Sequence, residues 1–347
     1  MTDPVLQTVP LGMHWPTQDP FLFCAHHNDA FPRGNADLGP VADLAGRQIG
    51  NDFAEIDGWN MYHGDIVPGF PVHPHRGFET VTYVRRGTLD HFDSLGATAR
   101  FGEGDVQWIT AGGGIQHSEM FPLLRQDTEN PLELFQIWLN LPSRSKMVDP
   151  YFTMVWSDDL PRVRSGPAGS AVVVTVVAGE LGGGSVSPPP DSWASDSEHN
   201  VGIWHCVFEP GSSWELPPAP AGVARTAYVF DGASVRVDGH EGQLEAGTGA
   251  VLSAESPVTM SSDDGAEVLI LQGRPIQEPV VQHGPFVLNT REQVMQAFED
   301  YRRTEFGGWP WERRDPVHPV AETRFARYPD GRHERPAASQ TTPVDSA

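Results

Sequence analysis

The sequence predicts an all-β fold of two tandem antiparallel β-barrels, closed by a C-terminal helix and followed by an extended tail. Three observations predict it. Glycine (36) and proline (32) are abundant in 347 residues and apolar runs are short, as in turn-rich β structure. The length suits about two domains at roughly 100–200 residues each. A strand–turn feature also recurs. Tyr83-Val84 with Gly87 matches Tyr228-Val229 with Gly232, and Gly104 with Val106 matches Gly249 with Val251, both displaced by 145 residues. Equal displacement of two features reads as duplication of one unit.

Taken in order, residues 1–20 are Pro-rich and read as irregular, and 21–55 as short strands and loops that feed the first barrel. Residues 73–119 hold apolar runs at 80–84 and 105–110, with Gly87, Gly96, Gly102 and Gly104 at the breaks. That is the pattern of an antiparallel meander. Residues 132–141 alternate apolar and polar side chains in part, as a half-buried strand does. The first barrel is placed at 1–150 and the second at 151–305. Residues 143–170 read as a connector, and the Gly/Ser/Pro-rich stretch 179–200 as a loop or flexible insert. Thr290 with Gln293 forms a capping box. Val294, Ala297, Phe298 and Tyr301 then share one face, so a closing helix is expected at about 290–303. The tail, 306–347, begins as an extended arm around Trp309-Pro310-Trp311, with disorder expected past about Tyr328.

The chemistry sits at the two ends of the meander. His73-Pro74-His75 and His117-Ser118-Glu119 each place two donors two residues apart, hence on one face of a strand. Folding the second pair onto the first would converge three imidazoles and a carboxylate. Nitrogen and oxygen donors suit Fe(II), Mn, Ni, Cu or Zn. The lack of cysteine ligands argues against a closed structural zinc site, and open coordination positions imply catalysis or ligand sensing. Glu79, four residues after His75, competes with Glu119 as the carboxylate, or else fixes a histidine tautomer from behind. The 145-residue displacement carries His73, His75, His117 and Glu119 onto Pro218, Pro220, Ser262 and Asp264. The second barrel is therefore expected to bind no metal and to be structural or regulatory.

Two long motifs, His73-Pro-His-Arg-Gly-Phe-Glu-Thr-Val-Thr-Tyr83 and Gly104-Asp-Val-Gln-Trp-Ile-Thr-Ala-Gly-Gly-Gly-Ile-Gln-His-Ser-Glu-Met120, closely resemble the pirins. Pro279-Val-Val-Gln-His-Gly-Pro-Phe-Val-Leu-Asn289 is similar to the pirin C-terminal signature. The resemblance covers roughly residues 20–305. It implies a bicupin, each barrel a double-stranded β-helix, with one metal, usually iron, in the N-terminal barrel only. It implies His73, His75, His117 and Glu119 as ligands and Glu79 as a supporting residue behind them. Some pirins resemble quercetin 2,3-dioxygenases; others are described as transcriptional co-regulators or modulators of metabolic enzymes. The leading expectation is O2-dependent cleavage of a quercetin-type flavonol. The metal would serve as Lewis acid and template, and Glu119 as the base that deprotonates the 3-hydroxyl. The rival expectation is a redox-responsive regulator that binds a protein partner through Fe(II)/Fe(III) exchange.

Composition excludes other classes. A formal charge of −23 opposes binding to nucleic-acid phosphates. No apolar run reaches the ~18–20 residues of a membrane span, and no secretory signal is visible. Two cysteines alone, Cys24 and Cys206, suit a reducing compartment, so a cytoplasmic location is expected. Gly112-Gly113-Gly114 lacks the Lys-Ser/Thr of a phosphate loop and reads as a tight turn before His117.

Overall fold

Each half of the chain folds as two antiparallel sheets laid face to face, so neither forms one continuous hydrogen-bonded ring. The computed structural model describes residues 3–337. In the first unit one sheet has the strand order Tyr151–Val155, Asp105–Thr110, Phe78–Arg86, Asn130–Asn140, Phe21–Phe31 and His14–Trp15. The facing sheet runs His333–Glu334, Phe325–Arg327, Thr98–Gly102, Thr88–Asp93, Ile115–Met120 and Gly69–His75. Phe31, Val84, Leu89, Phe101, Ile109 and Ile115 fill the space between them.

The second unit repeats this plan. Its large sheet includes Thr248–Leu252, Ala224–Gly232, Ala266–Gly273 and Gly202–Phe208, the same succession as 105–110, 78–86, 130–140 and 21–31. The duplication holds at the level of topology, but the register slips. Tyr83 lies opposite Val106, whereas Tyr228 lies opposite Gly249, so Gly249 stands inside a strand while Gly104 makes a turn with φ +95°. A slip of two residues keeps every side chain on its own face, which is why the pattern survived it. The counterpart of the Gly69–His75/Ile115–Met120 pair is Ser212–Leu216 with Val258–Ser262. Ungapped displacement had pointed to Pro218 and Pro220 instead. The paired strands turn Trp214, Leu216, Val258 and Met260 inward, all buried, where the first unit has its histidines.

The two units share a core. Val81, Tyr83, Val106, Trp108, Phe135 and Ile137 on the outer face of the first large sheet join one apolar cluster with Val174, Val176, Cys206, Tyr228 and Leu269 of the second. The strand Asn130–Asn140 is therefore buried on both faces, with Leu134 inside the first unit and Phe135 at the junction, rather than half-buried as its pattern suggests. Cys24 and Cys206 are buried and unpaired. Burial pushes both thiols up, which makes them unreactive.

Both ends of the chain depart from expectation. Val5–Pro10 is a strand, paired with Thr248–Leu252 of the second unit. The tail is docked rather than loose: Phe325–Arg327 extends the first unit's sheet at Thr98–Gly102, and His333–Glu334 folds back on it. Buried Arg100 holds it there, bonded to Asp90 (2.7 Å) and to the carbonyls of His318, Pro319 and Glu322. The disorder expected past Tyr328 does not describe 329–337, and its remainder, 338–347, lies outside the described residues. The stretch 179–200 is also built in. It continues a hairpin through Gly184–Val186 and buries Trp193. The helix spans Arg291–Thr304 with both capping-box bonds present, and packs Val294 and Ala297 on Phe286 and Leu288.

Candidate metal centre

The strand Gly69–His75 lies antiparallel to Ile115–Met120, with His73 directly opposite His117. His75 is two residues on and faces the same way. The imidazole centroids are 4.4 Å (His73–His117), 4.8 Å (His73–His75) and 4.8 Å (His75–His117) apart. One nitrogen from each ring falls within 4.8 Å of the others. His73 Nδ1 bonds the Pro71 carbonyl at 2.9 Å, which leaves Nε2 free to face the centre. Both nitrogens of His75 and of His117 are buried without any hydrogen-bond partner.

Unpaired buried polar atoms are costly, and an ion at the centre would satisfy one nitrogen on each of His75 and His117. Burial, with the charges of the neighbouring histidines, holds His75 and His117 well below the ordinary imidazole range and His73 near 4. The rings are thus neutral, the state a metal ligand requires. The residues present fit a divalent ion.

Glu119 lies beside this trio, its Oε2 3.8 Å from His117 Nε2. Gln136 Nε2 donates to the same oxygen (2.7 Å), and Thr82 Oγ1 to the other at 3.4 Å. Burial raises the carboxyl's pKa, against the opposing pull of His91 and these bonds. The converging donors are the three imidazoles alone, and Glu119 stands next to them.

Glu79 is elsewhere. The chain turns at Gly77, where φ is +88° and a Cβ would fall 2.1 Å from the Val287 carbonyl oxygen. That turn moves the following strand into the other sheet and cancels the parity counted from His75. Thr82 faces the histidines, but Glu79, Val81 and Tyr83 point toward the second unit. There Glu79 accepts from Thr110 Oγ1 (2.6 Å) and Ser192 Oγ (2.5 Å), and it has no bond to any of the three histidines. Glu79 therefore ties the 179–200 stretch to the first unit and does not orient a ligand. Lys146, also buried, secures the same turn by donating to the Gly77 carbonyl at 2.8 Å.

One neighbour was missed by sequence reasoning. His91 is fully buried, pairs in register with Glu119, and lies 5.7 Å from His117 by ring centroid. Asp93 holds its Nε2 at 3.2 Å. The signal was present as His91-Phe92-Asp93, two polar groups spaced like the other pairs. The packing around the trio is aromatic. Phe78 and Trp138 stack 4.0 Å apart beside His75, and Phe53, Tyr62 and Phe70 cluster on the side of His73.

The pirin family model matches residues 11–139, and the pirin C-terminal cupin domain matches 203–307. A Pseudomonas aeruginosa protein provisionally named a quercetin 2,3-dioxygenase is 39% identical over 240 residues, 69% of this chain and 80% of its own. This chain belongs to the pirin family. Human pirin is 35% identical over 255 residues, covering 72% of this chain and 81% of its own. A crystal structure of an Acinetobacter baumannii quercetin 2,3-dioxygenase superposes with a TM-score of 0.71 at 25% identity, covering 89% of this chain and 99% of that one. The pirin bicupin architecture accounts for both units. Among the described residues no helix is long and apolar enough to cross a membrane.

Proposed function

We propose that this pirin is a metal-dependent dioxygenase that cleaves quercetin-type flavonols with O2. His73, His75 and His117 hold the metal and Glu119 completes the shell. Fe(II) is the leading ion, and Mn, Ni, Cu and Zn suit the same donors. The observation that carries the reading is the convergence of one nitrogen each from His73, His75 and His117 within 4.8 Å, with His75 and His117 buried and their ring nitrogens unpartnered by side chains. Relatives named for quercetin 2,3-dioxygenase support the substrate class. When bound, a divalent ion supplies Lewis acidity and a template for substrate and O2. The protein supplies the rest. Phe78 and Trp138 stack on each other beside His75, and Phe70 packs by His73, so apolar rings shield the centre from water. Glu119 accepts the proton of the flavonol 3-hydroxyl, and Gln136 holds the receiving carboxylate in place.

The test is anaerobic reconstitution with Fe(II), then quercetin and oxygen, following loss of the flavonol absorption band and release of carbon monoxide. His117→Ala is run alongside. Turnover in the wild type and none in the variant is expected. A chain loaded with one iron that leaves quercetin unchanged sinks the reading.

One feature favours a second role, that of a redox-responsive regulator for a protein partner. Arg76, the residue after His75, bonds Asp300 of the C-terminal helix at 2.9 Å and the Gly113 carbonyl at 2.7 Å. A unit change of charge at the histidines would act one residue from the contact that seats this helix. Partner affinity that is identical with Fe(II) and Fe(III) would remove this role.

A further inference from the structure

The second unit holds a cavity of about 480 Å³ that the metal chemistry does not use. Arg225 and Gln272 face each other across paired strands, and Gly202 lies on the other side of Gln272. Arg225 is 1% exposed. Its Nε and Nη2 both donate to Gln272 Oε1, at 2.9 and 2.6 Å. Gln272 Nε2 donates in turn to the Asn200 carbonyl (3.2 Å), which fixes the amide. Arg225 Nη1 has no partner, and neither has the indole Nε1 of buried Trp204, which lines the same cavity. Gly202 makes room for that indole: a Cβ there would lie 2.9 Å from the ring and 3.2 Å from Gln272 Cγ.

A guanidinium this deeply buried normally faces a carboxylate. Among the described residues Arg225 forms no ion pair; its partner is a neutral amide. Burial lowers its pKa only to about 10, so it stays charged at neutral pH. One uncompensated cation and two unpartnered N–H donors thus lie buried just behind the cavity's lining, which mixes polar groups with the buried side chains of Leu181, Val186 and Val201. One charge suits a monoanion. Exposed Glu180 and Asp196 at the rim disfavour a polyanion such as a nucleotide. We propose that this cavity binds a small monocarboxylate with an apolar body. Its oxygens accept from Arg225 Nη1 and Trp204 Nε1, and its body lies against those aliphatic side chains.

The test is calorimetric titration of the full-length, metal-loaded protein with benzoate, and with benzamide as its neutral isostere. Benzoate is expected to saturate one site and benzamide to bind at least about tenfold more weakly, consistent with loss of a charge-assisted bond. Arg225→Met should weaken benzoate by a similar factor. Ser187→Trp, an exposed rim position that should leave the fold intact, should block entry and serves if the arginine variant does not fold. No saturable benzoate binding, equal binding of benzamide, or binding untouched by these variants (as at the metal itself) would overturn the proposal.

Discussion

Within the histidine trio only His73 has a hydrogen bond that fixes which nitrogen faces the centre. His73 is oriented by the Pro71 carbonyl, His75 packs against Phe78 and Trp138, and His117 against His73, His75 and His91. Glu119 depends on Gln136. Glu119→Gln should keep metal on the three histidines yet lower turnover about 10²–10⁴-fold, the usual worth of a positioned base; metal content by mass spectrometry beside steady-state rates checks it. Glu79 gives a prediction with a sign. Its carboxyl titrates near 4.5 when free, but burial, partly offset by Ser192 and Thr110, moves it to about 7 in the fold. Between those values the folded state holds the extra proton. The stability it confers is full below the lower value and lost as pH rises through the upper one. Glu79→Gln mimics the protonated acid. Relative to wild type it should gain up to about 3 kcal/mol between about pH 5 and pH 8, read from urea midpoints. A pH-independent difference would show that the carboxyl is ionised throughout. At this scale the converging histidines were legible because their strands are unbroken between paired residues. Glu79 was misplaced because a spacing of four counts as one face only where no turn such as Gly77 intervenes.

At the scale of elements, the decisive feature is that the chain's two ends change places. Val5–Pro10 completes the second unit's sheet and Phe325–Arg327 extends the first unit's. Neither was legible. A short edge strand borrows its hydrogen bonds from an existing template, so it needs little periodicity of its own, and three residues cannot display any. Prolines at 4 and 10 masked Val5 and Val9, and a polar tail masked Phe325, which is 2% exposed. The helix, by contrast, declared itself through its capping box and its apolar face. Phe325→Ala should cost about 3–5 kcal/mol, the range for emptying a buried aromatic site. Arg100→Met should cost about as much, because Asp90 would remain buried with no cation to face it. Chemical denaturation measures both. Losses under about 1 kcal/mol would mean that the tail rests on the sheet without supporting it.

For the whole molecule, the junction between units is core-like and wired by polar groups. Tyr83 of the first unit bonds His205 of the second (3.2 Å); His205 reaches Glu267 (2.7 Å), which pairs with Arg85, itself bonded to Glu133 (2.8 Å). Unfolding should therefore be a single cooperative transition in which metal release and loss of β-sheet signal coincide. Metal at a hundredfold excess over its dissociation constant should raise the stability of the entire chain, second unit included, by about 2.7 kcal/mol. Two separated transitions, with only one responding to metal, would contradict this. The duplicated plan was legible from a few repeated residues, but the junction was not, since no local pattern says what will cover a sheet's outer face. The exchanged ends also bear on how the protein is made. A ribosome releases the chain from its first residue at roughly 5–20 residues per second. The edge that Phe325 will cover stays open while some two hundred later residues are added, and Val5–Pro10 waits through most of that interval for a strand not yet synthesised. The histidines emerge early, but the sheet that carries them is finished last, so newly made chains should acquire stable metal only after translation has ended.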